Sequence, residues 1–441
     1  MDIPVATFRL PNGLFVTLSE DHTAPIVAVN LWYHVGSANE RAGRTGFAHL
    51  FEHMLFQGSE HVQANEHFQF IEGAGGTLNG STWLDRTNYY ETVPSNQLAL
   101  ALWLEADRMG HLLPAMTQLK LDTQRDVVKN ERRWSIDNQP YGTWFEKLLA
   151  LTFPAEHPFH HSLMGSMEHL SSATLDDVAE FFSTFYTPDN AVLSIAGDFD
   201  HTEARDLVIR YFGSIPRGRG KPPLGKVSLP SSFGGWVREK VPDNVMVPRL
   251  FLAFRSPAFG SDSYYASSVL GVVLGTGKGS RLYRALVRQH EVASEVNAFT
   301  LDLAKGVDLL VLDVTARPEV DAEQLEDEVV REVDRVLTAG IAQAEVDRAT
   351  ALIETGLVAS MESAGERADR LSLFATYFGD PSLVNRQLDR YRSITAASVN
   401  EAAREILAPD NRASLVYFPR EPAEAEAAMA SLSASAPPSP L

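Results

Sequence analysis

The chain has 441 residues, long for a single hydrophobic core, so roughly two to four domains are expected. Hydrophobic residues make up 44% and charged residues 22%, which excludes a disordered chain and describes a globular one. A formal charge of −19 argues against a nucleic-acid partner, and the absence of cysteine excludes disulfides and thiolate metal sites. Any metal would have to be held by histidines and carboxylates.

No apolar run reaches the roughly 18 residues of a spanning helix, so no transmembrane segment is expected. Met1-Asp2-Ile3-Pro4 lacks the basic and apolar regions of a signal peptide. The expected compartment is the cytoplasm, or the periplasm or exterior if a leader has been removed.

Phe8 to Leu18 reads as a hairpin turning at Asn12-Gly13, and Ile26 to His34 alternates as a strand. After a polar loop comes Gly46-Phe47-Ala48-His49-Leu50-Phe51-Glu52-His53-Met54-Leu55-Phe56, with apolar residues at helical spacing. Here His-x-x-Glu-His, the zincin motif H-E-x-x-H reversed, falls inside a helix. His49 and His53 are four apart and share one face, as a pair of imidazole ligands to zinc requires. Glu52 projects to the same side and can serve as general base toward a water at the metal. Three titratable groups in an otherwise apolar helix are costly to bury without a partner, which favours the metal reading over chance.

A short helix near Asn65 to Ile71 leads to paired strands at Thr77–Thr82 and Thr87–Val93. Helices are expected over Ser95–Leu112, with Ser95 as N-cap, and over Thr117–Trp134, Tyr141–Leu151, Thr174–Phe185 and Thr202–Phe212, with a strand at Ala191–Ala196. Such a mixture describes an α+β domain with a largely antiparallel sheet. Proline, glycine and basic residues mark a linker over 215–227, so the expected domains are 1–214 and 228–420, followed by an Ala, Ser and Pro-rich tail, 421–441, expected to be disordered.

After the linker the element order begins again. Arg249–Phe254 stands in the place of the strand before the metal helix, and Asp262–Leu274 in the place of that helix, without a histidine. Strands at Val307–Val314 and Ala413–Phe418 and helices at Ala322–Leu337, Gln343–Met361 and Ala397–Leu407 complete an internal duplication. Two further signals are weak. Gly275 to Ser280 lacks the Walker spacing, and the histidines at 157, 160 and 161 lie in a Pro-rich loop and read as surface or packing.

Two histidines leave a tetrahedral zinc in need of a third protein ligand, for which Glu131, in Asn130-Glu131-Arg132-Arg133 on a separate helix, is the best candidate. Taken together, His49-Leu50-Phe51-Glu52-His53 and the later Glu131-Arg132-Arg133 resemble the pitrilysin-type inverzincin zinc peptidases, the family of insulin-degrading enzyme and the mitochondrial processing peptidase. The segments Gly75 to Thr82, Asp85 to Tyr89, His157-Pro158-Phe159 and Tyr186 to Ala191 extend the resemblance over most of the chain.

The resemblance implies that His49, His53 and Glu131 bind one zinc ion per chain and that Glu52 activates water for peptide hydrolysis. It implies two duplicated α+β domains forming half of a clamshell, hence a dimer, either of identical chains or with a similar subunit. It further implies that a peptide pairs with the edge strand Leu78, Asn79, Gly80, Ser81, Thr82 and Trp83. Two departures stand out. Family members often carry a second glutamate seven residues before the ligand glutamate, and Gln124 stands there, able to hydrogen-bond a ligand but not to tune the site by charge. Arg288 sits where the family places the first member of a substrate-holding Arg/Tyr pair, but Glu295 stands at the tyrosine position. A partner subunit would then supply the pair. The expected activity is that of a zinc endopeptidase on unfolded peptides; the alternative is a non-catalytic structural subunit of the same fold.

Overall fold

The computed structural model describes residues 2–220, 224–225 and 227–420; linker positions 221–223 and 226 and the tail from 421, expected to be disordered, lie outside the described residues. Two sheets organise the chain. The first is built from β1 (Ala6–Arg9), β2 (Phe15–Glu20), β3 (Ile26–Tyr33), β4 (Thr77–Thr82), β5 (Thr87–Pro94) and β6 (Ala191–Gly197), in the order β1-β2-β6-β3-β5-β4. The second is built from β7 (Gly235–Asp243), β8 (Arg249–Pro257), β9 (Ala293–Thr300), β10 (Val307–Ala316) and β11 (Asn411–Pro419), in the order β7-β11-β8-β10-β9.

Apart from β1, the two sheets match strand for strand. Both set their first strand parallel to their last, β2 with β6 and β7 with β11, and pair all the others antiparallel. This is the duplicated α+β architecture expected from the element order. β7 and β9 were not among the expected strands, because partly exposed edge strands carry few apolar residues to mark them.

The helices are α1 (Phe47–Met54), α2 (Glu66–Gly73), α3 (Leu98–His111), α4 (Gln118–Arg132), α5 (Trp144–Thr152), α6 (Met167–Ser171), α7 (Leu175–Phe185), α8 (His201–Phe212), α9 (Asp262–Gly275), α10 (Ala322–Ala339), α11 (Gln343–Glu362), α12 (Ala364–Phe378), α13 (Gln387–Arg392) and α14 (Ala396–Ile406). Ser95 does not cap α3: Ser95–Gln97 forms a 3-10 turn, and the helix begins after Gln97 without a side-chain cap. Among the described residues no helix is long and apolar enough to cross a membrane.

By contacts the chain forms two compact units that interleave segments. Among the described residues the first holds 2–133, 155–220, 224–225 and 352–392; the second holds 134–154, 227–351 and 393–420. These limits differ from the boundaries 1–214 and 228–420 drawn at the linker, because 134–154 and 352–392 each join the unit built mainly from the other half of the chain.

In the first unit, alternate residues of β3 divide between two layers. Val27, Val29, Leu31 and Tyr33 enter the main core with α1, α3 and α7. Ala28 and Trp32 face α12 through Ala364, Ala368 and Ala375. Asp369 on α12 accepts hydrogen bonds from Trp32 Nε1 at 2.9 Å, Asn30 Nδ2 at 3.2 Å and Asn88 Nδ2 at 3.3 Å. Tyr377 donates to Asp85 at 2.6 Å, and Arg367 pairs with Asp21 at 2.7 Å. In the second unit the corresponding cover is α5, whose Trp144 stacks on Phe251 of β8 at 4.7 Å.

Candidate metal centre

α1 begins at Gly46, whose φ of 87° and close approach to the Met164 carbonyl, 2.5 Å from where a Cβ would lie, leave room only for glycine. Glycine cannot cap the helix, so Glu40 does so from outside. Its buried carboxylate accepts from Gly46 N at 2.9 Å and Ala48 N at 2.8 Å, and His161 Nε2 lies 3.0 Å from it. Burial pushes the Glu40 carboxyl up, and the pairing with Glu40 raises His161 against its own burial. His161, read as surface or packing, therefore belongs to the support of the α1 N-terminus. Nothing in the local sequence signals Glu40 as a cap, since it stands outside the ordinary capping spacing.

Phe47, Leu50, Phe51 and Met54 fasten α1 in the core, which turns Glu52 and His53 toward a half-buried cleft. α4 lies across α1 and delivers Glu131 from its last turn. His53 Nε2 is 3.0 Å from Glu131 Oε2, and His49 Nε2 is 3.7 Å from Glu131 Oε1. A tetrahedral zinc with bonds near 2.0–2.1 Å separates its donor atoms by roughly 3.3–3.4 Å, which these two distances bracket. One atom from each of His49, His53 and Glu131 lies within 4.8 Å of the others. Burial and the neighbouring His53 lower the His49 pKa to about 4, so its ring is neutral and able to ligate at neutral pH. The hydrogen bond from His53 holds Glu131 below the usual carboxylate range. The donor set therefore suits zinc in both charge and spacing. His49 Nδ1 is buried without a hydrogen-bond partner among the described residues, so nothing in that shell fixes its tautomer.

Glu52 is not one of the three donors. Its Oε2 accepts from Thr82 Oγ1 of β4 at 2.7 Å, and burial raises its carboxyl above the ordinary range. β4 is an edge strand, paired only with β5 among the described residues. Gly80 lies beneath Glu52: a Cβ there would stand 3.1 Å from Glu52 Cγ and 3.3 Å from the Phe56 and Tyr89 rings. An Asn79-Gly80 pair that stays in a strand instead of turning was the available sign of such a close approach.

Of the other expected edge-strand residues, Leu78 packs against the core and Asn79 is exposed. Ser81 donates to Asn88 at 2.6 Å, and Trp83 N donates to Arg86 O at 2.7 Å in the turn after the strand. Gln124 is buried on α4 and lines a cleft of about 220 Å³ with Glu52, His53, Phe56, Phe68 and Asn79.

Behind Phe56, Arg108 of α3 lies 5.2 Å from that ring and 4.1 Å from Tyr89, paired with buried Glu105 and Glu91. Burial and the adjacent Glu105 push the Glu91 carboxyl well above the usual range, against the pull of Arg108. Sequence periodicity gave no sign of this cluster. In the second unit Arg288 is exposed on a wide helical turn, Tyr283–Gln289, with its guanidinium 5.6 Å from the Tyr283 ring, and Glu295 is exposed on β9.

A strand order given twice, with His49, His53 and Glu131 gathered on the first copy, is the two-domain pitrilysin-type fold. Residues 15–166 match the family model described as Insulinase (Peptidase family M16), and residues 172–353 match Peptidase M16 inactive domain. The chain belongs to peptidase family M16. It is 30% identical over 373 residues to the zinc protease PqqE of Helicobacter pylori, covering 83% of this chain and 82% of that protein. It is 26% identical over 424 residues to the mitochondrial-processing peptidase subunit beta of Blastocladiella emersonii, covering 94% of this chain and 88% of that one. The crystal structure of a protease from Helicobacter pylori superposes with a TM-score of 0.88 at 26% identity, over 95% of this chain and 100% of that chain.

Proposed function

We propose that the chain is a zinc-dependent endopeptidase for extended peptides, with His49, His53 and Glu131 holding one zinc ion and Glu52 as general base. The observation that supports this best is the convergence of the three donors within 4.8 Å beside a carboxylate that is not one of them. Zinc held there would supply Lewis acidity, acidifying a water and polarising the scissile carbonyl. Thr82 engages Oε2 of Glu52, which leaves Oε1 to take the proton as water adds to the carbonyl. Glu52 then returns that proton to the departing amine nitrogen. Burial raises the Glu52 carboxyl above the ordinary range, which favours holding the proton between the two transfers.

The free edge of β4 offers main-chain donors and acceptors to an extended substrate, as in β-strand addition. Residues 78–83 would set the register of the peptide across Glu52. Arg288 would hold a substrate carbonyl, and with Glu295 at the expected tyrosine position a partner chain would complete that pair. The naming of one relative as a subunit of a processing peptidase agrees with a dimer.

The test is zinc content and hydrolysis of a quenched peptide mixture by the purified chain, with Glu52→Gln as control. Zinc that is lost on His49→Ala/His53→Ala, with cleavage that Glu52→Gln abolishes, supports the peptidase. Zinc without cleavage, restored by a similar chain carrying an Arg/Tyr pair, supports the heterodimer. Cleavage indifferent to Glu52→Gln overturns the assignment of the base.

A further inference from the structure

A second histidine cluster lies where the middle of the α1–α2 connection meets the C-terminus of α3. His61 and His111 approach edge to face, with ring centroids 5.2 Å apart at 83°. Glu60 Oε2 lies 2.9 Å from His111 Nδ1. One ligand atom from each of Glu60, His61 and His111 falls within 4.8 Å of the others, and all three side chains are open to solvent.

The cluster has a built support. Asp107 on α3 is almost fully buried, and its Oδ1 accepts from His61 Nδ1 at 2.6 Å. Its other oxygen accepts from the Ser59 hydroxyl and from His61 N at 3.4 Å. A buried carboxylate on Nδ1–H orients the ring and leaves Nε2 with the available lone pair, the carboxylate–histidine–metal arrangement. The backbone is pinned as well: Glu60 N donates to the His111 carbonyl at 3.0 Å, and Ser59 N to the Val62 carbonyl at 2.8 Å. The Asp107 pairing raises the His61 pKa, so protons compete with a metal there.

We infer that Glu60, His61 and His111 form a second site for a first-row divalent cation such as zinc, with Asp107 as the positioning residue. Two imidazoles and one carboxylate match the ligand preferences of such ions better than those of calcium or magnesium. Widening the Glu60–His111 contact from 2.9 Å to the roughly 3.3–3.4 Å separation of zinc donors needs only a small side-chain shift. A cation there would tie the loop after α1, which carries Phe56 and Gln57 of the Glu52 cleft, to the end of α3.

The experiment is equilibrium dialysis of the full chain against excess zinc, followed by metal analysis and thermal melting. Three chains are compared: the unaltered protein, His49→Ala/His53→Ala, and His61→Ala/His111→Ala. About two equivalents are expected in the first and about one in each variant, one per remaining donor set. Zinc should still raise the melting temperature of His49→Ala/His53→Ala. Because His61 is a partner of buried Asp107, His111→Ala alone, which keeps that bond, is run beside the pair and should also lose the second equivalent. Asp107→Asn should weaken the second equivalent about 10–100-fold, the usual cost of losing such a partner. The inference is overturned if His61→Ala/His111→Ala binds as much zinc as the unaltered chain, or if the second equivalent fills only above ~1 mM zinc. Failure of the first site appears separately, as an unchanged count in His49→Ala/His53→Ala.

Discussion

The helix after β3 and the helix after β8 occupy the same place in two sheets of one topology, yet they bury different surfaces. α1 packs Phe47, Leu50, Phe51 and Met54 and leaves Glu52 and His53 half-exposed. α9 buries both faces, from Tyr264 and Tyr265 through Val269, Leu270 and Val273 to Gly275. The edge strands differ in the same sense. On β4 the strand supplies the glycine, Gly80, and Glu52 sits above it. In the second unit the helix supplies it: a Cβ on Gly275 would lie 2.5 Å from the Ala298 side chain of β9, so helix and strand close directly on each other. One unit thus keeps polar groups over its edge strand at a cost in packing, and the other fills the space with apolar contact. The fold tolerates either; the proposed chemistry falls to the first.

This contrast can be broken most sharply at Glu52. Glu52→Gln should lower peptide hydrolysis about 10²–10⁴-fold with zinc content unchanged, measured by initial rates and metal analysis. Loss of a donor comes next. Glu131→Gln should cut zinc affinity at least about 10–100-fold, read by competition with a chelator, while thermal melting moves little, because Glu131 is partly exposed.

Gly80→Ala tests whether the strand glycine serves Glu52. The added methyl should displace the Glu52 side chain and lower kcat roughly 10-fold, as an error of position does, with metal retained. Asp369→Ala removes the shared acceptor of Trp32, Asn30 and Asn88 and should destabilise by about 1–3 kcal/mol in urea unfolding, without touching the donor set. The smallest effect is expected from acid. The Arg367 hydrogen bond lowers the Asp21 pKa to about 2 from 3.8. Below pH 4 the unfolded chain therefore binds this proton first, so the Asp21 contribution is present above pH 4 and fades as pH falls toward 2. Melting temperatures of Asp21→Asn and the unaltered chain should converge over that interval.

The first sheet and helix α1 were legible because their signals are local, alternation in 26–34 and an i, i+4 histidine pair, while Glu131 was singled out as a candidate by the family resemblance. What escaped was held by distant contacts. Helix α12 has small residues, Ala364, Ala368 and Ala375, where it meets the sheet, and nothing in its own periodicity names β3 as partner. Thr82 as a donor to Glu52 and Arg108 behind Phe56 each depend on a neighbour far along the chain, and Glu40 as a cap on a loop that folds back six to eight residues later, outside the ordinary capping spacing. Ser95 failed as a cap because the chain first makes a 3-10 turn, a choice its side chain does not announce.

The interleaving of segments bears on how the molecule can be made. The first sheet receives its second layer from 352–392, and the other sheet receives α5 from 134–154. As the ribosome delivers the chain, the first sheet waits with Ala28 and Trp32 uncovered until more than three-quarters of the sequence has emerged. A gene cut at the linker would encode two fragments, each lacking a layer of its own sheet and carrying one that belongs to the other. Such fragments should be insoluble when produced singly and should regain order only when produced together.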